Sequence, residues 1–108
     1  TAKERAEARA ARQRADRLAR YHAELEALAA RGPEPWREVE ALIEEKKTSA
    51  YRKAVELLTK LKDAAEHTGT AWDFQAHIDQ IVTQYSRRWA LMRLMREAGL
   101  IPPEESEG

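Results

Sequence analysis

The chain has 108 residues, of which 35% are charged, and its 19 lysine and arginine side chains balance its 19 aspartate and glutamate side chains. A net charge of zero gives no general attraction to nucleic acids or anionic membranes, and the absence of cysteine excludes disulfides, thiolate nucleophiles and cysteine-based zinc sites. No apolar run approaches the ~20 residues that span a bilayer, and the first residues are charged rather than apolar, so the sequence predicts a cytoplasmic protein without membrane contact.

The first predicted helix runs from about Lys3 to Arg31 and has two different halves. Up to Asp16 its only apolar side chains are alanines, which favour a helix but bury little surface. From Leu18 onward larger apolar side chains recur at helical spacing, at Leu18, Tyr21, Leu25 and Leu28. We therefore predict that the second half packs on the rest of the protein, while residues 1–17 form a charged helical extension.

The second and third predicted helices follow a break at Gly32 and Pro33. Pro35 suits the first turn of a helix, and the apolar face of this second helix comprises Trp36, Val39, Leu42 and Ile43. The third helix, from about Ser49 to His67, is apolar over about half of its circumference. An arc of that width indicates contact with two neighbouring helices.

The fourth predicted helix follows Gly69, which suits a left-handed carboxyl-terminal cap. Thr70 and Asp73 resemble a capping box, and the helix is predicted to continue to about Ala98. Its apolar stripe comprises Phe74, Ile78, Ile81, Val82, Tyr85, Trp89 and Met92. We predict that Trp36, Leu58, Ile78 and Trp89 are all buried where the helices meet.

The carboxyl-terminal end of the fourth helix combines arginines with large apolar residues. Leu91, Leu94 and Ala98 fall on roughly the opposite side from the apolar stripe, which predicts an end buried on two sides. Its arginines, at positions 87, 88, 93 and 96, point in different directions. A nucleic-acid surface needs its basic groups in one patch, so this segment is interpreted as packed core with outward-reaching arginines.

These patterns together predict an all-α fold, an antiparallel helical bundle of about four helices with a long, partly projecting amino-terminal helix. The predicted organisation is a helical extension over residues 1–17, a bundle over 18–100 and an acidic flexible tail over 101–108. We expect no catalytic residues, because motifs for activated serines, phosphate-binding loops and zinc helices are absent.

The histidines are the only candidates for a metal site. His67, Asp73 and His77 lie around one predicted turn and could converge, but zinc needs three or four ligands in a defined geometry. Exposed polar residues near a helix start are the simpler interpretation. We therefore predict no metal, no cofactor and no small-molecule substrate.

Two surfaces are predicted to bind a partner. Arg5, Arg9 and Arg12 form a basic stripe at helical spacing, although neighbouring acidic residues could pair with them. The second surface is the alternative to packed core for the end of the fourth helix, in which Leu91, Leu94 and Ala98 are left uncovered in a monomer. A near-heptad seam of small and apolar residues runs beside the stripe, at Ala8, Ala11, Ala15, Leu18, His22 and Leu25. We predict a protein partner or a homodimer; the alternative is nucleic-acid binding by the arginine-rich helix.

The order of motifs from Trp36 to Leu100 is similar to one known family. The segments WREVEALIEEK, AYRKAVELLTKLKDAAE, FQAHIDQI and RRWALMRLMREAGL resemble the helical region that follows the zinc motif in bacterial SWIM zinc-finger proteins. The zinc motif of that family, C-x-C…C-x-H, is absent because the chain has no cysteine. The resemblance therefore implies the accessory helical part of such a protein, without zinc binding at any residue of this chain.

Overall fold

A computed structural model describes residues 1–104, and all regular secondary structure in that range is helical. The five helices are α1 (Ala2–Ala30), α2 (Glu34–Glu44), α3 (Thr48–Thr68), α4 (Ala71–Tyr85) and α5 (Trp89–Glu97). The prediction of an all-α fold with a long amino-terminal helix is confirmed. No helix in this range combines the length and the apolar character needed to cross a membrane.

Helix α1 projects from the bundle over its first half. All side chains of residues 1–20 are exposed except the half-buried Ala10. Contact with the bundle begins at Tyr21 and His22, and Leu25 is buried. The projection explains why the molecule extends 59 Å along its longest axis but only 27 Å along its shortest. We call residues 2–20 the arm.

The helix boundaries mostly follow the glycine and proline positions. Gly69 adopts a left-handed conformation (φ 76°) as the carboxyl-terminal cap of α3, as predicted. Pro35 lies in the first turn of α2, also as predicted. The capping box predicted at Thr70 does not form, because the Thr70 hydroxyl instead lies 3.1 Å from the hydroxyl of Thr68.

The predicted fourth helix is interrupted, which corrects the expectation from the sequence. It ends at Tyr85, and α5 begins at Trp89 after a turn at residues 86–88. Arg88 leaves the helical conformation (φ −83°, ψ 78°), and its guanidinium group donates hydrogen bonds to the Ile43 carbonyl and the Tyr51 hydroxyl, each at 3.3 Å. The bend reorients α5, so that Leu91, Met92 and Met95 all enter the core.

Helix α3 is the central element of the bundle, since α1, α2, α4 and α5 each pack against it. Among the four residues predicted to be buried, Leu58 and Ile78 are fully buried, and Trp36 is half-buried against the core. The prediction for Trp89 is wrong, because this side chain is 80% exposed. Leu100 is buried and Ile101 packs against the core, while residues 105–108 of the predicted tail lie outside the described range.

A polar contact joins α1 to α3 next to the apolar interface. The Tyr21 hydroxyl donates a hydrogen bond to the Asp63 carboxylate. This hydrogen bond, together with burial and the negative charge of Asp63, raises the pKa of Tyr21 to about 12. The carboxylate thus holds the phenol in its protonated form.

We expect Tyr21→Phe to lower the free energy of unfolding by about 1–2 kcal/mol at neutral pH, because hydrogen bonds to charged groups contribute more than neutral ones and solvent partly screens this one. The folded pKa lies above the ordinary value of 10.0. The contribution is therefore complete below pH 10 and disappears as the pH rises towards 12. Urea denaturation of both proteins from neutral to alkaline pH measures this difference. If the difference in unfolding free energy between the two proteins stayed constant through this pH range, the raised pKa of Tyr21 would be contradicted. The hydrogen bond itself would be contradicted if the double variant of Tyr21→Phe and Asp63→Asn lost the sum of the two single losses.

Candidate interaction surfaces

The arm brings the three predicted arginines onto one surface. Arg5, Arg9 and Arg12 line a shallow depression together with Ala2 and Ala8. Each guanidinium group is exposed, and within residues 1–104 none of the three forms an ion pair. The pairing of Arg12 with Asp16 that the spacing allows is therefore not formed, and the stripe presents its positive charge to solvent.

The alanine seam of the arm continues the face by which α1 contacts the bundle. Ala8, Ala11, Ala15 and Leu18 are exposed, and Leu18 is the largest of them at 55% exposure. His22 and Leu25 lie on the same face by their helical spacing. His22 stacks on His67 of α3 with ring centroids 4.5 Å apart, and Leu25 is buried beside Leu57. The seam is thus covered from His22 onward and uncovered before it.

The second predicted surface is largely internal, which corrects the expectation from the sequence. Leu91 is fully buried and Leu94 is half-buried against the core, while Ala98 is exposed as the cap of α5. The turn at residues 86–88 rotates α5 relative to the expected continuous helix, and α5 packs on α3 with Leu91 fully buried. Leu91 is therefore not available to a partner, whereas Leu94 keeps part of its surface exposed.

The outward face of α5 instead carries an exposed tryptophan with two arginines. Trp89, Arg93 and Arg96 line a cleft of about 530 Å³, whose other lining residues are Ser86, Ala90, Met92 and Glu104. Positions i, i+4 and i+7 lie within a narrow sector of a helix, so the indole and both guanidinium groups share one side. The apolar stripe in the sequence places Trp89 in the core, which is why this surface was not among those predicted.

The histidines do not converge. His67 stacks on His22, and its Nε2 atom lies 3.2 Å from Glu26 Oε1, whereas His77 stacks on Trp36 at 4.2 Å between ring centroids. His67 and His77 thus belong to different contacts, one between α1 and α3 and the other between α2 and α4. In the range 1–104, no group of three or more histidine, aspartate and glutamate side chains is placed to hold a metal ion.

A second cleft of about 540 Å³ lies between the end of α1 and the start of α4. Its aromatic wall comprises Trp36, Phe74 and His77, and its polar groups include Thr68 and Asp73. The Nδ1 atom of His77 lies 2.9 Å from the Asp73 main-chain carbonyl, and the Thr68 hydroxyl donates to the Ala64 carbonyl at 2.8 Å. The Thr68 hydroxyl is thus bonded to the backbone and not to the imidazole.

Comparison with known proteins identifies no relative of this chain. No family model matches it, and neither the curated proteins nor the solved structures contain a match.

Proposed function

We propose that this protein is a non-catalytic helical interaction module that self-associates through the arm. The observation that carries the proposal is the exposure of residues 1–20, which extend α1 beyond the bundle with no other part of residues 1–104 covering them. Most of the stability of a helix in a protein comes from packing of one of its faces rather than from helix propensity. Packing against a second helix would stabilise the arm in the way that α3 stabilises the second half of α1.

The composition of the seam favours another helix as the partner. Ala8, Ala11 and Ala15 are small, so they allow two helix backbones to approach closely, although they bury little apolar area. Leu18 adds the one large apolar side chain that the seam leaves exposed. A second copy of the arm has the same properties, so two arms are complementary to each other.

The position of α3 favours an antiparallel arrangement. On the seam face of α1, α3 occupies the space from His22 onward. A parallel second arm would continue into that space, whereas an antiparallel arm ends before it. We therefore place the two bundles at opposite ends of the paired arms.

Sedimentation at micromolar concentrations tests this arrangement, and the expected result is a dimer. Replacing Ala11 and Ala15 together by glutamate should give a monomer, because each arm would place two charged carboxylates in the seam, where their burial is unfavourable. Gln13→Glu is the matched control, since Gln13 is exposed on the other side of the arm, and it should remain dimeric. Self-association would be refuted if the wild-type chain stays monomeric and if removal of residues 1–16 changes neither the oligomeric state nor the stability.

We further propose that α2–α5 correspond to the accessory helical region of SWIM zinc-finger proteins. The resemblance spans Trp36 to Leu100, and this segment supplies α2, α3, α4 and α5. An experimental structure of that region from an authentic family member tests the proposal. It should contain a central helix contacted by the others and a bend that corresponds to Arg88.

Nucleic-acid binding by the arm is the second candidate function. It is favoured by the common surface of Arg5, Arg9 and Arg12 and by the absence of ion pairs between them and any residue in the range 1–104. Contacts with phosphate make the logarithm of the binding constant fall linearly with the logarithm of the salt concentration. Replacing all three arginines by glutamine should abolish binding of this origin.

A further inference from the structure

We infer that the outward face of α5 is a binding site for single-stranded nucleic acid, with a base stacked on Trp89 and phosphates bound by Arg93 and Arg96. We call Trp89, Arg93 and Arg96 the Trp89 face. This site is independent of self-association through the arm, because it lies on a different helix.

The exposure of Trp89 is the first observation. An indole that is 80% exposed at the start of a helix contributes little to folding, whereas the core below it is filled by Leu91, Met92 and Met95. Its aromatic surface is therefore free to stack on another ring. Stacking on aromatic side chains is the main sequence-tolerant interaction in the recognition of single strands.

The charge beside the indole is the second observation. Arg93 and Arg96 line the same cleft, about 6 Å and about 10 Å further along the helix axis than Trp89, given the rise of an α-helix. Neither arginine forms an ion pair within the described range. Two guanidinium groups that follow an aromatic ring along one line match a strand that alternates bases with phosphates.

These two features together favour a single strand over other anionic ligands. A duplex keeps its bases stacked internally, so it offers phosphates but no free base for Trp89. An acidic peptide satisfies the arginines and leaves the indole without a stacking partner. Of these three ligands, the single strand alone uses all three side chains.

Trp72 provides an internal control. It is exposed to nearly the same extent, 75%, and it also lies in the first turn of its helix. The residues that follow it at the spacings of Arg93 and Arg96 are Ala76 and Asp79, so its face carries no positive charge. We therefore expect binding at Trp89 and not at Trp72.

Fluorescence anisotropy measures the affinity for labelled single-stranded oligouridine and oligothymidine. The oligonucleotides are about 12 nucleotides long, which covers one such site. Trp89→Ala should weaken binding about 5- to 150-fold, the range for loss of one stacked base, and Trp72→Ala should leave it unchanged. Replacing Arg93 and Arg96 by glutamine should also weaken binding. The slope of log K against log salt should then become less steep by about 1.4, or about 0.7 for each phosphate that is no longer bound.

Glu104 allows a test of whether the ligand is negatively charged. Its side chain lines the cleft, and removing its negative charge in Glu104→Gln should tighten binding of an anionic strand. The melting temperature of Trp89→Ala should equal that of the wild type, because the side chain removed is an exposed one.

Four outcomes would overturn the inference. Two concern the oligonucleotide: equal effects of Trp72→Ala and Trp89→Ala on its binding, or binding that depends on Arg5, Arg9 and Arg12 but not on Trp89. Two concern other ligands: a duplex of the same sequence bound as tightly as the single strand, or Trp89-dependent binding of polyglutamate in place of the oligonucleotide.

Discussion

Leu58→Ala is expected to lower the free energy of unfolding by about 2–5 kcal/mol. Leu58 is fully buried in α3, the helix against which the other four pack. Truncation therefore leaves a cavity whose walls belong to several helices and cannot easily collapse. Because small domains are stable by only about 5–15 kcal/mol, the variant should unfold at a markedly lower urea concentration, which circular dichroism measures.

Leu57→Ala is the matched control for this substitution. Leu57 is the preceding residue of the same helix and is half-buried, so its truncation removes less packed surface. We expect a clearly smaller loss of stability at Leu57 than at Leu58. Similar losses at both positions would contradict the central place of Leu58 in the core.

Arg88→Met is expected to lower the urea concentration at the midpoint of unfolding, because the hydrogen bonds of a charged group are lost. The guanidinium group donates to the Ile43 carbonyl near the end of α2 and to the Tyr51 hydroxyl in α3. Glu44 lies 3.8 Å from it. Methionine retains much of the aliphatic stem but leaves both acceptors without their donor. Urea denaturation gives the change in unfolding free energy.

Arg87→Met is the control for Arg88→Met, because Arg87 is the exposed neighbour in the same turn and makes neither of these hydrogen bonds. Its substitution should change the stability by less than about 0.5 kcal/mol. If the two variants were equally stable, the turn at residues 86–88 would not depend on the Arg88 guanidinium group.

The sequence is sufficient to predict most helix boundaries and the exposure of the arm. Gly69 ends α3 through its own conformational freedom, which is a local property. Similarly, a helical segment whose only apolar side chains are alanines has little surface to bury wherever it lies, so the projection of residues 2–17 follows from composition. These features need no knowledge of which helices touch.

The turn between α4 and α5 could not be predicted in the same way. No glycine or proline occurs between Tyr85 and Trp89, and the turn is held by contacts of Arg88 with residues 45 and 37 positions earlier in the chain. One local signal does exist: the apolar pattern changes phase after Tyr85. Burial on two sides of one helix is one interpretation of that change, and a break in the helix explains it better.

The unexpected turn is also the reason why the sequence does not predict the Trp89 face as an exposed surface. On an unbroken helix, Trp89 continues the stripe of Ile78 and Tyr85, so it is expected in the core. Once α5 rotates, the same residue faces solvent. Arg93 and Arg96 follow Trp89 by four and seven residues, so they share its side on any helix, although the four arginines of this segment, taken together, are interpreted as scattered. The spacing is readable from the sequence, whereas the exposure of that side follows from the bend.

The central position of α3 has a consequence for how the protein unfolds. Since each outer helix reaches the core through α3, none of them retains much buried surface once α3 melts, and the bundle behaves as a single cooperative unit. The arm is different, because its side chains except that of Ala10 are exposed and no other element of residues 1–104 packs against it, so it can open without unfolding the bundle. In a monomer, loss of total helicity on heating would therefore combine a gradual change from the arm with one sharp transition from the bundle.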